Sequence, residues 1–142
     1  MRPAADFEVS ATVPVVVDDD VAAAADVVRP FVALYVGGMG GRRSNFHHDA
    51  VARLGYAEVA DEVQARHLAG DRAGAAAAIP LELVDDVALV GPPERIRDRL
   101  GAWADSVVTR LVVSCTPTAL PAVAAALAGT DPVRTPSPRP AC

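Results

Sequence analysis

There is no lysine in this chain: all 13 basic residues are arginine, set against 18 acidic residues for a formal net charge of −5. A surface that binds nucleic acid without regard to sequence needs a basic stripe to neutralise phosphates, and this balance argues against one. The charges are dispersed, so no basic face for an anionic membrane emerges either. Aromatics are nearly as scarce, at 4% against 51% apolar residues, so a core has to be built mainly from Ala, Val and Leu. Cysteine is limited to Cys115 and Cys142. Two cysteines at that spacing make neither a disulfide framework nor a zinc site. Cys115 ends an apolar run and reads as a small buried hydrophobe, which fits a reducing cytoplasm. The longest apolar run near the start, "VSATVPVVV" from Val9 to Val17, is too short to span a bilayer. Three aspartates follow it directly, unlike the layout of a signal peptide. A soluble, cytoplasmic protein without membrane or nucleic-acid partners is expected.

What remains is 142 residues, enough for one domain that buries about 70% of its unfolded surface. Val13 to Val17 is a continuous β-branched block and reads as a buried strand of the parallel type. Pro14 has no N–H for a ladder, so it is expected where no partner needs one. Asp18, Asp19 and Asp20 end the strand and offer caps for a helix. Val21, Ala24, Ala25, Val28, Val32 and Tyr35 then recur at helical spacing, with Pro30 expected to kink or divide the pattern. The glycine cluster at 37–41 stops it. Ser44 or Asn45 can cap a helix that runs to Leu54 and ends at Gly55. Further helices are expected from Ala57 to Ala69 and, shorter, to Ile79 before Pro80.

"LELVDDVALVG" is ambiguous, part helical turn and part extended. Pro92 and Pro93 then open a helix with Ile96, Leu100 and Trp103 on one face. "TRLVVSC", Thr109 to Cys115, is a second buried strand. "TPTALPAVAAALAG" is a last helix, and the Pro-rich residues 130–142 are expected to be a disordered tail. Two buried strands joined through helices indicate an α/β arrangement with parallel pairing. Two strands alone are marginal, however, so the chain reads as part of something larger.

The stretch "YVGGMGGRRSNFHHD", Tyr35 to Asp49, is the least ordinary. Backbone N–H groups in a Gly-rich turn at a helix start can cradle phosphate, with Arg42 or Arg43 as charge partners. Equally, Gly37, Gly38, Gly40 and Gly41 can let the chain reverse between two helices at positive φ. The segment lacks the Gly-Lys-Ser/Thr of a P-loop, and it follows a helix rather than the strand of a dinucleotide fingerprint. His47, His48 and Asp49 are consecutive and diverge around a helix, whereas two helical metal ligands need i, i+4 spacing, so no metal site is assigned. Asp61-Glu62 and Asp85-Asp86 read as solvated carboxylates, and Arg95, Arg97 and Arg99 with Glu94 and Asp98 as a charged outer helix face.

Three blocks in this order, "VPVVVDDDVAAAADVVRPFVALYVGGMGGRRSNFHHD", "ELVDDVALVGPPERIRDRLGAW" and "TRLVVS", resemble the C-terminal part of the luciferase-like monooxygenase superfamily. The nearest branch is that of the coenzyme F420-dependent oxidoreductases, and the resemblance covers about Phe7 to Leu127. It implies a TIM (β/α)8 barrel in which Val9 to Val17 is the seventh strand and Thr109 to Ser114 the eighth. Residues 1–129 would then be a helix-rich domain of about the last two β/α units, where a whole barrel needs eight strands and about 250 residues.

The resemblance also implies hydride transfer between a deazaflavin and an organic substrate, with coenzyme F420 as cofactor and FMN as the alternative. Contacts to substrate or to the cofactor tail fall on Gly37, Gly38, Gly40, Arg42 and Asn45. Ser44 and His47 stand where the family pattern commonly carries lysine and tyrosine. Because the family's catalytic residues lie largely on earlier strands, no catalytic residue is assigned and the piece is expected to be inactive alone. Asp18 to Asp20 and Ser114, Thr116 and Thr118 follow the two strands at their C-terminal ends, where barrel sites are built, although helix capping explains them too. The alternative reading is a non-catalytic remnant whose exposed strand edges bring self-association or a complementing barrel part.

Overall fold

Val13 and Val15 lie at the centre of a three-stranded parallel sheet. The computed structural model describes residues 7–41 and 44–128. Strand β1 (Ser10–Val17) is flanked by β2 (Leu89–Gly91) and β3 (Arg110–Ser114) in the order β2-β1-β3. Residues 10–14 of β1 pair with β3, and residues 15–17 pair with β2. Pro14 sits where the pairing passes from one neighbour to the other, so its missing N–H interrupts neither ladder in mid-run. The sequence suggested two strands. The third lies in the ambiguous segment, whose first part is helix and whose last three residues are strand, too short a run for period-2 alternation to register.

Alternation along β1 assigns its two faces. Val13 and Val15 are buried with Leu89, Ile96 and Val123, and with half-buried Leu100, Trp103 and Leu111 around them. This is the face covered by α6 (Pro93–Ala104) and α7 (Leu120–Leu127). Val16 and its register partner Val90 turn the other way, into a larger core built by the helices between β1 and β2.

Those helices are α1 (Val21–Ala33), α2 (Phe46–Val51), α3 (Ala57–Leu68), α4 (Arg72–Ala77) and α5 (Leu81–Val87). The excursion leaves the sheet at Val17 and rejoins it at the register partner Gly91, where Asp18 N–H donates to the Gly91 carbonyl at 3.2 Å. The helical unit therefore hangs from the C-terminal end of β1 and carries its own aliphatic core, which includes Ala24, Val28, Val32, Ala60, Val63, Ile79 and Leu83.

Pro30 does not divide α1. It lies on the exposed side, where water can serve the carbonyl freed by its missing N–H, and the helix continues to Ala33 before passing into a π-helical turn at Leu34–Gly38. Val21–Gly38 is long and apolar enough to cross a membrane by length and composition, yet Ala24, Ala25, Val28, Val32, Ala33 and Val36 on it are buried in this core.

Two sequence readings need correction. Strand β3 is not buried: it is the sheet edge, with Val112 44% and Val113 36% exposed, because no further strand lies beyond it among the described residues. Nor is the charged face of α6 simply solvated. Asp85 on α5 is only 12% exposed, and its Oδ2 meets Arg95 Nη2 at 2.7 Å. Arg95 Nη1 also donates to the Val90 carbonyl at 2.6 Å, and Arg99 Nη2 to the Asp85 carbonyl at 3.0 Å. These contacts join the helical unit to the sheet unit. Residues 130–142 lie outside the described residues.

Candidate functional site

Asn45 organises the unusual segment. It is 3% exposed, and its Oδ1 accepts from the N–H groups of His47 (3.0 Å) and His48 (3.2 Å), capping α2. Its Nδ2 donates to the Val36 carbonyl at 2.6 Å and reaches the Tyr35 carbonyl at 3.4 Å. One side chain thus starts α2 and satisfies the π-helical turn that ends the preceding helix. Gly41 and Ser44 close the loop between them, exchanging backbone hydrogen bonds at 3.2 and 3.1 Å.

The glycines serve close approach rather than reversed backbone. Positive φ among the described glycines occurs at Gly55, Gly70 and Gly91, not in the 37–41 cluster. A Cβ on Gly37 would lie 2.6 Å from His67 Cβ and 3.1 Å from the Val63 carbonyl oxygen, and one on Gly38 would lie 2.5 Å from His67 Nε2. A Cβ on Gly40 would meet the Ser44 carbonyl at 2.6 Å. His67, which no spacing in the sequence links to this segment, is the side chain the glycines make room for.

Gly38→Ala is therefore expected to destabilise the protein by about 1–3 kcal/mol, and His67→Ala in the same chain to relieve most of that, since the obstacle is the end of a ring. Gly37→Ala meets the Cβ that alanine at 67 keeps, so His67→Ala should not rescue it. Thermal unfolding of the two double variants reads the difference, and equal rescue would show that the ring is not the obstacle.

Around this turn the aromatic residues form a row. Phe31 and Tyr35 have centroids 4.6 Å apart, Tyr35 and His47 4.8 Å, and His47 and Phe46 5.5 Å. Phe31, Leu34, Met39 and Phe46 are exposed along it. His48 faces away, its Nε2 2.9 Å from Asp61 Oδ1 and its Nδ1 3.4 Å from Asp49 Oδ1, bridging α2 to α3. Among the predicted contact residues, Gly37 and Asn45 are buried, while Gly38 and Gly40 are exposed. Arg42 lies outside the described residues.

At the C-terminal end of the sheet, Asp20 Oδ1 caps α1 by accepting from Ala22 N–H (2.9 Å) and Ala23 N–H (3.2 Å), and Asp18 Oδ1 accepts from Asp20 N–H at 2.9 Å. Capping thus occupies Asp20, and Asp18 holds the cap residue's own N–H. Ser114 is level with Pro14 in the register, so β1 runs three residues beyond it, roughly 10 Å at the usual strand rise. Thr116 and Thr118 hydroxyls contact each other at 3.2 Å just past that point. Ser114 therefore stands lower along the sheet than the aspartates.

Tyr56 closes the far side of the helical unit by donating to Asp86 Oδ2 at 2.9 Å. That hydrogen bond, reinforced by burial and by the charges of Asp86, Glu82 and Asp85, raises the phenol above its ordinary pKa. The neutral phenol is the form the fold favours. Its contribution is fully present below the ordinary tyrosine value of about 10 and is lost as the pH rises through the raised one. In an ultraviolet absorbance titration, Tyr56→Phe should remove a late phenolate step and Asp86→Asn should bring it earlier. An unchanged titration in Asp86→Asn would discard this assignment.

A profile of the luciferase-like monooxygenase family matches residues 1–110. The chain belongs to that family. It is 45% identical over 113 residues to a Mycobacterium tuberculosis protein (strain ATCC 25618 / H37Rv) named "Putative coenzyme F420-dependent oxidoreductase". The match takes in 80% of this chain and 33% of that relative, so the chain spans about a third of the length of the curated protein it matches. No solved structure matches it. The family is one of TIM barrels, and this member of it is a helix-rich α/β structure with a small parallel sheet.

Proposed function

We propose that this chain forms the last two β/α units of a cytoplasmic oxidoreductase barrel that uses coenzyme F420 to move a hydride to or from a small organic substrate. The observation that supports this best is the 45% identity to the mycobacterial relative, which runs through both the sheet and the helical excursion. Coenzyme F420 would supply the hydride chemistry when bound, and FMN would be the alternative cofactor. The chain's own task would be positional. β1 and β3 form part of the barrel wall, and the helical unit stands at the C-terminal end of β1, the end at which barrel enzymes build their sites.

Within the glycine segment, the fit to a cofactor is uneven. Asn45 has its polar atoms engaged by the fold, and Gly37 is covered by His67, so both act as supports. The exposed backbone at Gly38 and Gly40 is the part left to touch substrate or an anionic cofactor tail, and Arg42, two residues further along the sequence, is the charge proposed to serve it.

The test is a chimera in which residues 7–128 replace the matching third of the mycobacterial relative. F420 binding with hydride turnover, read as loss of deazaflavin absorbance, and affinity reduced about tenfold by Arg42→Ala, are the expected results. A folded chimera that prefers FMN would transfer the proposal to a flavin, and one that binds neither would end it.

A further inference from the structure

His67 is held closely by the fold, yet the fold makes no use of its polar atoms. Gly37 and Gly38 form its seat. A Cβ on Gly37 would meet the His67 Cβ and Cγ at 2.6 and 2.9 Å, and one on Gly38 would meet Nε2 and Cε1 at 2.5 and 3.0 Å. The half-buried ring therefore has its base against the buried Gly37 and its Nε2 end against the exposed Gly38. Leu34 is a second wall, with Cδ1 3.1 Å from the same Cβ position on Gly38. Among the described residues neither ring nitrogen has a hydrogen-bond partner, and neither is sealed from the surface. His48 differs, being spent on Asp61 and Asp49. The carboxylates nearest to His67 in sequence, Glu62 and Asp71, are both held by Arg66, at 2.8 and 3.3 Å.

Resting on the reading of this turn as ligand-facing, we propose that His67 is a ligand-binding residue whose Nε2 donates to an oxyanion, phosphate or carboxylate, that a substrate or cofactor tail presents at Gly38. Packing alone does not account for the arrangement, since an apolar side chain fills the seat between Gly37 and Leu34 without leaving two ring nitrogens to water. An imidazole donates from Nε2 as the imidazolium or as the tautomer with its proton there. The next free donor along the turn is of the same kind: Gly40 is exposed, and its N–H has no backbone hydrogen bond among the described residues. Donors without a protein acceptor suit an oxyanion, and a charged partner makes such bonds about twice as strong as neutral ones.

The test titrates residues 1–142 with inorganic phosphate and, separately, with acetate, and follows the Hε1 signals of the three histidines and the glycine amides by NMR. The signals of His67, Gly38 and Gly40 should move together along one saturation curve, while His48, tied to Asp61, stays still. A response to phosphate alone assigns a phosphoryl group, one to acetate alone a carboxylate, and one to both the shared oxyanion chemistry. His67→Ala should weaken binding about tenfold, and His67→Gln, which keeps an N–H donor, should lose less. A His67 signal indifferent to both anions, a response centred on His47 or His48, or an affinity unchanged in His67→Ala would each overturn the proposal. So would equal losses in the alanine and glutamine variants, which would assign the effect to the ring's bulk.

The titration of the unaltered chain needs no variant, so a substitution that fails to fold leaves the proposal open to refutation. No deazaflavin enters these measurements. A chimera that binds F420 while His67 ignores both anions ends this proposal alone, and an anion response at His67 beside a chimera that binds no cofactor ends the cofactor reading alone.

Discussion

Asp85→Ala should cost about 3–5 kcal/mol of stability, because it strands arginines beside a partly buried site that no longer holds a counter-charge. The carboxylate is 12% exposed and its closest partner, Arg95, is 24% exposed, so neither is well screened by water. Arg99, 35% exposed and 3.5 Å from Asp85 Oδ1, contributes less, since solvent weakens its share. Arg95 also ties the Val90 carbonyl of β2, so losing its counter-charge loosens the strand that returns the helical unit to the sheet.

Two consequences follow for measurement. The melting temperature should fall by about 10 °C or more for a chain of this size. Unfolding of the larger core, to which α5 belongs, should also separate in temperature from that of the smaller one, to which α6 belongs. Replacing both partners, Asp85→Leu with Arg95→Met, should recover much of the loss, because a removed ion pair costs less than a broken one. A single sharp transition near the original temperature in Asp85→Ala would show that the two cores are held together by packing alone.

This ion pair marks the limit of what the sequence makes legible. The helix boundaries could be read from Asp20, Asn45, Gly55, Gly70 and Pro93, because caps and breakers act over two to four residues. Asp85 and Arg95 are ten residues apart on different helices, and nothing in either neighbourhood reports their meeting. Asp85-Asp86 therefore looked like one solvated pair, when Asp85 faces α6 and Asp86 holds Tyr56.

The glycine cluster shows the same division. Its existence marks the end of a helix, but the reason for Gly37 and Gly38 is the approach of His67 from thirty residues away. The β-branched content of β3 correctly indicated a strand. Burial of that strand depends on neighbours that composition cannot supply, and so Val112 and Val113 are exposed.

At Asn45 the variants separate two functions of one side chain. Asn45→Ala removes the cap of α2, worth about 0.5–2 kcal/mol, and leaves the buried Val36 carbonyl without its 2.6 Å donor, worth about 1–3 kcal/mol more. A total near 2–4 kcal/mol is expected. Asn45→Ser keeps an oxygen for the cap but is too short to serve both partners, so it should fall between alanine and the wild type.

Asn45→Asp is the decisive variant. It retains the capping oxygen and places a second, charged oxygen against the Val36 carbonyl, which should make it less stable than serine at neutral pH. Protonation converts that oxygen into a donor, so the folded state favours the neutral acid and raises its pKa. The stability of Asn45→Asp should then be regained as the pH falls and lost as it rises through that pKa, opposite to the usual trend for a capping aspartate. If Asn45→Asp matches the wild type at neutral pH, the bond to Val36 is dispensable and the turn at 37–44 is held by its cap alone. If it shows the acid-side recovery, the link from α2 back to the end of the preceding helix is what holds Gly38 and Gly40 in place, and any ligand contact at that turn depends on it.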